Sequence, residues 1–409
     1  MAAAWDVVVI GAGAAGLMAA IHAAERGRRT LLLEKNRKPG VKILMSGGTR
    51  CNITHDCDNR GIVQAYGAPG KFLHSALAAL SVQQTIAFFE AEGVATKIEE
   101  TGKVFPVSNK AIDVLDALLR RLKRSGATLA LEQPVSDIRK AHDCFEVQTA
   151  RQIASCPRVI LTSGGQSYPG SGTRGDGYAW AQRFGHTIVA TRPALVPVTV
   201  RAEWIAELRG VTLADVGIQV IDRGKPIAAR RGGFLFAHFG LSGPAPLDVS
   251  KAISTHDDPQ SLELELDFLP ALPEQEFDEF LRNESLASGK KQLAVVMSER
   301  LPRRLCDALL NLCEQPLDRR ATGLSKVDRQ KLVQCVKRLR VPVQGTLGFE
   351  KAEVTTGGVS LDEVDSRTME SKLAPGFHLA GEVLDLDGPI GGYNFQAAWS
   401  TGWLAGRSV

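Results

Sequence analysis

Aromatic residues make up only 6% of this 409-residue chain, no two cysteines form a C-x-x-C pair, and no apolar run approaches the roughly 20 residues of a membrane helix. Each absence excludes something. Seven cysteines is an odd number, and the closer ones (Cys51 with Cys57, Cys306 with Cys313) are spaced too widely for a paired zinc ligand. A disulfide framework, a structural zinc site and a dithiol–disulfide reductase are therefore not expected, and a reducing cytoplasm fits best. Charge of one sign is also scarce: 49 Lys and Arg against 45 Asp and Glu give +4, too little to announce a polyanion partner for the chain as a whole. The N-terminus lacks the basic start of a leader, and its apolar stretches are broken by Gly11, Gly13, Gly16, His22 and Glu25, so it belongs to the fold. With 44% hydrophobic residues the remainder is ordinary globular composition, long enough for two or three domains and of enzyme size.

What is present begins at residue 5. The run Trp5–Ile10 (WDVVVI) is β-branched and suits a strand buried on both faces, and Gly11-Ala-Gly13-Ala14-Ala15-Gly16 follows at once. Leu17–Arg26 is an Ala- and Leu-rich helix former stopped by Gly27, and a second strand, Thr30–Leu33, ends in Glu34. Strand, G-x-G-x-x-G, helix, strand and acid form a dinucleotide-binding unit. Gly11 permits the tight turn, Gly13 lets the backbone approach a pyrophosphate, Gly16 lets helix and strand pack, and the helix N-terminus attracts the anion. Glu34 stands where a carboxylate accepts both ribose hydroxyls of an adenosine. This unit alone does not decide between FAD and NAD.

Three further glycine-rich segments bear on that choice. Lys42–Asn52 (KILMSGGTRCN) is polar, and its two adjacent glycines followed by Arg50 and Asn52 are suited to a second phosphate and a ring carbonyl. Gly164-Gly165 follows the apolar strand Arg158–Leu161 and leads to Gly175-Asp-Gly177 and a helix from Tyr178. Near the C-terminus come a strand at Phe377–Ala380, then Gly381-Glu382, then Gly388 to Asn394 and a helix from about Phe395. Nucleotide-contacting turns at both ends of the chain imply a discontinuous domain with the middle inserted into it. A long, two-ended cofactor such as FAD suits that arrangement.

The segments KILMSGGTRCNIT (42–54), HFGLSGP (238–244), VTTGGVSLDEVDSRTMES (354–371) and HLAGEVLDLDGPIGGYNFQAAWSTG (378–402) together resemble the BaiN/RdsA family of FAD-dependent oxidoreductases, the aminoacetone-oxidase-like flavoproteins. The resemblance spans almost the whole chain. It implies an α/β fold: a discontinuous, glutathione-reductase-like FAD-binding Rossmann domain (1–190 and 345–409), an inserted β-barrel-like part (191–270) and a basic helical part (271–344). It also implies FAD contacts from Gly11, Gly13, Ala14, Ala15, Gly16, Glu34, Lys35, Lys42, Ser46, Gly47, Arg50, Cys51 and Asn52. The pattern continues at Gly164, Gly165, Gly381, Glu382, Asp385, Asn394 and Phe395, with a backbone contact to adenine from Val135. Thr49 departs from the family, which commonly has a third glycine there.

The middle of the chain contains alternating strands such as Gly217–Asp222 and Ser261–Asp267, then helical periodicity from about 273 to 340 interrupted by Pro302, Pro316 and Gly323. Residues 282–340 hold 14 Lys or Arg against 6 Asp or Glu, a net of +8 that leaves −4 for the rest of the chain. Such helices are solvated faces or a platform for a polyanion such as rRNA. The only aromatics near this stretch are Phe277 and Phe280, so base stacking is not evident.

The chemistry expected is hydride delivery from FAD to an electron-poor C=C bond. Members of the family are described as doing this on uridine in large-subunit rRNA and on unsaturated bile-acid intermediates. Gly164-Gly165…Gly170 lacks the spacing of a second G-x-G-x-x-G, so NAD(P)H, as electron donor, is expected to dock transiently. The alternatives are a small-molecule substrate, enone or amine, or a flavin-binding protein that holds RNA or a partner without turnover. Cys51 and His238 are the candidate proton donors, with Tyr168 and Tyr393 behind them.

Overall fold

The computed structural model describes residues 3–287 and 290–409. It resolves into two compact units, 1–193 with 353–409, and 194–352.

The first unit is built on a five-stranded parallel sheet of β1 (Val7–Ile10), β2 (Thr30–Leu33), β3 (Thr128–Ala130), β4 (Arg158–Leu161) and β5 (Phe377–Leu379), in the order β5-β4-β1-β2-β3. All four residues of β1 and of β2 are buried, as their continuous apolar runs require in a sheet covered on both faces. The chain lays down β1 in the centre, proceeds to β2 and β3 on one side, and returns to β4 and β5 on the other. Connections therefore diverge at the carboxyl ends of β1 and β4, which is where an open α/β sheet binds its ligand.

Helix α1 (Ala14–Glu25) follows β1, and the C-terminal helix α2 (Tyr393–Ser408) lies against it. The two backbones approach so closely that a Cβ on Gly402 or Gly406 would sit 2.3 Å from the carbonyl oxygens of Ala15 and Ala19. Here glycine is required by space, not by φ. Trp399 locks the same helix inward, its indole N–H donating to Ile53 O at 2.9 Å.

Three helices of this unit begin earlier than the hydrophobic pattern suggests, at Ala14, Asp176 and Tyr393. Each starts directly after a glycine (Gly13, Gly175, Gly392), with no side chain capping it. The usual Ser, Thr, Asp or Asn signal is missing, and the first N–H groups are left for another acceptor.

The second unit is a closed barrel with strands 198–200, 240–242, 225–237, 212–222, 263–267 and 339–346 in spatial order. Leu264 and Leu266 point inward and are fully buried, while Glu263 and Glu265 alternate outward. The last strand, Leu339–Thr346, follows the helices Glu274–Ala287, Leu293–Met297, Arg303–Leu312 and Lys326–Lys337 in sequence. Barrel and helices consequently share one buried cluster that includes Leu264, Phe268, Leu281, Leu305 and Val336. Pro302 caps one helix, whereas Pro316 and Gly323 lie in the connection to the next. Among the described residues no single helix is long and apolar enough to cross a membrane.

Candidate functional site

The glycine turn after β1 is set by steric limits. Gly11 has φ +100°, and a Cβ there would lie 2.6 Å from Thr162 O. A Cβ on Gly16 would meet Gly11 O at 1.8 Å, so α1 can rise this close to β1 only with glycine. A Cβ on Gly13 would meet nothing within 4 Å, so its side-chain direction, at the start of the uncapped α1, is open. Ala14 is half-buried, and Ala15 is buried with its Cβ close under Gly381.

At the end of β2 the Glu34 carboxylate is buried and aimed. It accepts from Ala12 N at 2.8 Å and from Asn36 N at 2.9 Å, which holds it beside the glycine turn. Gln133 N donates to Glu34 O, and the strand Val135–Ala141 starts two residues on, so Val135 follows directly on the segment bonded to Glu34. Lys35 instead pairs with Asp176.

Lys42–Asn52, read from sequence as a glycine-rich loop, is largely the helix Val41–Thr49, broken at Ser46, Gly47 and Gly48. Gly47, Gly48, Thr49 and Cys51 all have φ between +56° and +69°. The missing third glycine does not abolish that shape; it leaves a β-branched Thr49 at φ +69°, where such residues are strained. The Ser46 hydroxyl donates to Ile43 O, and Gly47 packs against Asn52 and Phe105.

A dense polar cluster joins four segments distant along the chain. Lys42 Nζ donates to Glu382 Oε2 at 2.6 Å and to Ser167 Oγ at 2.7 Å, and the Ser167 hydroxyl donates to Glu382 Oε1 at 2.5 Å. Thr355 N also donates to Glu382, and the Thr355 hydroxyl oxygen accepts from Gln166 N and Ser167 N. Gly165 is confined by this cluster, since a Cβ there would lie 2.4 Å from Thr355 Oγ1. Gly164 has φ +74° and Gly381 φ +77°, so the turns after β4 and β5 are both shaped by glycine. Asp385 accepts from Gly357 N at 3.1 Å. Ser167 and Thr355 were not singled out from sequence. Their only signal is position, next to Gly165 and inside the VTTGG run.

Several expected contacts are otherwise engaged. Arg50 pairs with Glu99 at 2.7 Å and its guanidinium lies 3.9 Å from the centre of the Phe105 ring. Asn394 closes its own loop, accepting from Gly388 N and donating to Gly388 O. Phe395 stacks on Trp399. Tyr393 stacks on His55, and Tyr168 caps a short 3-10 turn at φ +54°. His238 is exposed on a turn of the second unit.

Cys51 is fully buried in the first unit's core, and burial pushes its thiol up to about 12. A thiol so placed stays protonated at neutral pH and is a weak general acid. Cys51→Ala should therefore keep turnover within about threefold of the parent, where loss of a true acid–base group costs roughly 100-fold or more. A steady-state assay decides it, and a 100-fold loss at unchanged folding would return Cys51 to the chemistry.

The residues fit FAD by a direct observation. Asn52 Oδ1 and Ser163 Oγ are buried without a hydrogen-bond partner among the described residues, one in the Lys42–Asn52 segment and one in the turn after β4. Buried polar atoms are rarely left so, and both lie in turns of the glycine-rich set. The Tyr178 hydroxyl is likewise unpartnered, and burial together with the Glu382 and Asp385 charges holds it protonated. An acid at the ribose end, an open glycine turn for pyrophosphate and orphaned polar atoms further along suit a long, two-ended nucleotide.

Fold and site thus define a FAD-dependent oxidoreductase of the Rossmann type. The chain belongs to the HI0933-like family: the family's model, described as HI0933-like protein Rossmann domain, matches residues 5–408. A ribosomal RNA dihydrouridine synthase of Escherichia coli is 34% identical over 412 residues, covering 99% of this chain and 98% of the relative. A 3-dehydro-bile acid delta(4,6)-reductase of Clostridium scindens is 30% identical over 98% of both chains. Among solved structures, a 3-ketosteroid-delta4-(5alpha)-dehydrogenase of Rhodococcus jostii superposes with a TM-score of 0.49 at 16% identity, over 99% of this chain and 96% of that one.

The basic stretch looks different in three dimensions. Lys291, Arg303, Arg319, Arg329, Lys337, Arg338 and Arg340 are ion-paired, and Arg304 donates to the Glu207 and Arg209 carbonyls. Many of the partners, Glu263, Glu265, Asp267, Glu274 and Asp278, precede residue 282. The whole unit 194–352 carries 22 Lys or Arg against 21 Asp or Glu, a net of +1. The +8 therefore belongs to the window, not to the folded unit.

Proposed function

We propose that this protein reduces uridine in large-subunit rRNA to dihydrouridine, with NAD(P)H docking transiently to reduce the flavin. The observation that carries the reading is the full-length, 34% identity to a ribosomal RNA dihydrouridine synthase. FAD, when bound, would supply a hydride to the electron-poor C=C bond, with a side chain or water adding the proton. The chain's own part is positioning: Glu34 would take the ribose, the open turn at Gly13 and the α1 N-terminus would take the pyrophosphate, and Asn52 would present its acceptor oxygen. Lys42 and Ser167 neutralise and hold Glu382, so that this carboxylate keeps one orientation. Of the two candidate proton donors, His238 is the exposed one.

Within the basic stretch, RNA phosphates fall to exposed cations that have no acid partner among the described residues, among them Arg282, Lys290, Arg320, Lys326 and Lys331. The near-neutral unit and the bile-acid reductase at 30% identity favour one other reading, an unsaturated small molecule as substrate.

The test is mass-spectrometric quantification of dihydrouridine in large-subunit rRNA with and without the gene, and with a plasmid copy restored. Loss at one position and its return on complementation is the expected result. Unchanged content would end the ribosomal reading and move the search to enone-like substrates.

A further inference from the structure

Cys313 and Cys335 are 22 positions apart and meet between two helices of the second unit. Cys313 is the C-cap of the helix Arg303–Leu312, and Cys335 lies in the last turn of the helix Lys326–Lys337. Their sulfurs are 3.0 Å apart. Cys313 is 4% exposed and Cys335 is partly exposed, so Cys335 is the more accessible of the two. The connection between them returns on itself: Gln315 donates to Cys313 O, and Arg319 pairs with Asp328.

We propose that Cys313 and Cys335 form a redox-active dithiol that closes into an intramolecular disulfide on reaction with a low-molecular-weight disulfide. The sulfurs need to approach by only about 1 Å to reach bonding distance, and both sit at helix ends, where small shifts are easiest. The Cys335 thiolate attacks the small disulfide, forming one S–S bond and releasing the first small thiolate. Cys313, as thiolate, then attacks the Cys335 sulfur and releases the second. Two electrons pass from the protein to the small disulfide, and the two protein protons end on the two released thiols. The order follows from access, and the proton arrangement agrees with it: the Cys313 S–H donates to Cys335, which lowers the Cys335 thiol from its ordinary value, while that bond and burial push the Cys313 thiol up, so Cys313 gives up its proton last. Elsewhere burial raises the thiols of Cys51, Cys156 and Cys306 to about 12 and that of Cys57 to about 11. Cys144 is exposed, and Cys156 is paired with its neighbour Phe145 on the adjacent strand, so these two face opposite ways.

The disulfide would close a ring around residues 314–334, which carry the exposed Arg320 and Lys326. Nothing in this inference depends on the flavin or the substrate. The experiment uses the full-length flavin-loaded protein, treated with oxidised glutathione, alkylated and mapped by peptide mass spectrometry. Two of the seven thiols should disappear as one Cys313–Cys335 cross-link, with no glutathione retained and full reversal by dithiothreitol. Tryptic cutting after Arg320 and Lys326 should slow by roughly fivefold, because the cross-link suppresses local opening. Cys313→Ser should trap glutathione on Cys335, whereas Cys335→Ser should leave Cys313 unmodified. Seven surviving thiols, glutathione retained on Cys313 or Cys335 of the parent protein, or a bond joining either of them to Cys144 would each overturn the proposal.

Discussion

Replacing Gly13 by alanine should weaken FAD binding by about 100-fold while leaving the unfolding of the apoprotein unchanged. The two halves of that result have separate causes. Gly13 has φ −84° and ψ −166°, which alanine adopts freely, and a Cβ there meets nothing within 4 Å. The fold has no reason to respond. The added methyl group does project into the space in front of the α1 N–H groups, where a pyrophosphate must come within hydrogen-bonding distance. Losing about 2–3 kcal/mol of those contacts corresponds to roughly two decades in affinity. Gly16→Ala is the control in the opposite sense. Its Cβ would lie 1.8 Å from Gly11 O and 2.6 Å from Thr162 Oγ1, so α1 must move away from β1. Overpacking of this kind costs on the order of 3 kcal/mol, and it should lower apoprotein stability and flavin retention together. Flavin-fluorescence titration beside urea unfolding of the apoprotein separates the two variants. A Gly13→Ala protein that retains FAD at parental affinity would remove the pyrophosphate from this turn.

The parts of the fold legible from sequence are those in which a local pattern and a steric rule coincide. Thr30–Leu33 and Arg158–Leu161 are strands with the bounds their apolar runs indicate, because a strand buried on both faces leaves no alternation to blur its ends, while the run read as Trp5–Ile10 pairs in this sheet only over Val7–Ile10. Helix starts were less visible, because Gly13, Gly175 and Gly392 stand where a capping side chain would have marked them. Lys42–Asn52 conceals a helical turn for a related reason: its glycines suggest a loop, but Ile43 and its neighbours had already begun a helix before Ser46 breaks it.

The site was legible as a set of turns and not as a set of contacts. Lys42, Ser167, Thr355 and Glu382 become neighbours only through the fold, whose sheet order sets β4 next to β1 and β5 next to β4. No spacing along the chain encodes that meeting. Cys51 lay in the right motif, yet its backbone at φ +61° turns the thiol into the core. The basic stretch misled for the simplest physical reason. Charge counted along a window ignores partners that arrive from other strands and helices, and Asp267, Glu274 and Asp278 come from outside it.

Acid should weaken the first unit well before its carboxylates titrate, because three of its histidines are buried in neutral form. His22 sits against Trp403, with Glu25 at its Nδ1 and Arg121 and Arg407 nearby; burial, reinforced by the two arginines, lowers it to about 3. Burial also lowers His378 to about 4 despite Glu370, and its Nδ1 has no partner. His186 is lowered too, held between Glu363 and Ser371. The Ser371 hydroxyl oxygen accepts from Leu373 N and Ala374 N, so its own proton goes to His186 Nε2, and protonating that nitrogen breaks the bond. In the unfolded chain each ring titrates near 6.5, above its folded value, so the unfolded state binds more protons as pH falls through 6.5. Stability is complete above that pH and is lost below it. Between pH 7 and pH 5, His22 and His378 should each remove about 2 kcal/mol, together about 4 kcal/mol, with His186 adding to the loss. Lowered carboxylates such as Asp6 and Asp137 do not enter this window, since they stay ionised in both states until lower pH. Native-state hydrogen exchange at Val7–Ile10 and Phe377–Leu379, read at pH 7 and pH 5 after correction for intrinsic rates, reports the change. The double variant His22→Leu, His378→Leu should lose most of that pH dependence; if its protection falls between the two pH values as far as the parent's, buried neutral histidines are not its cause.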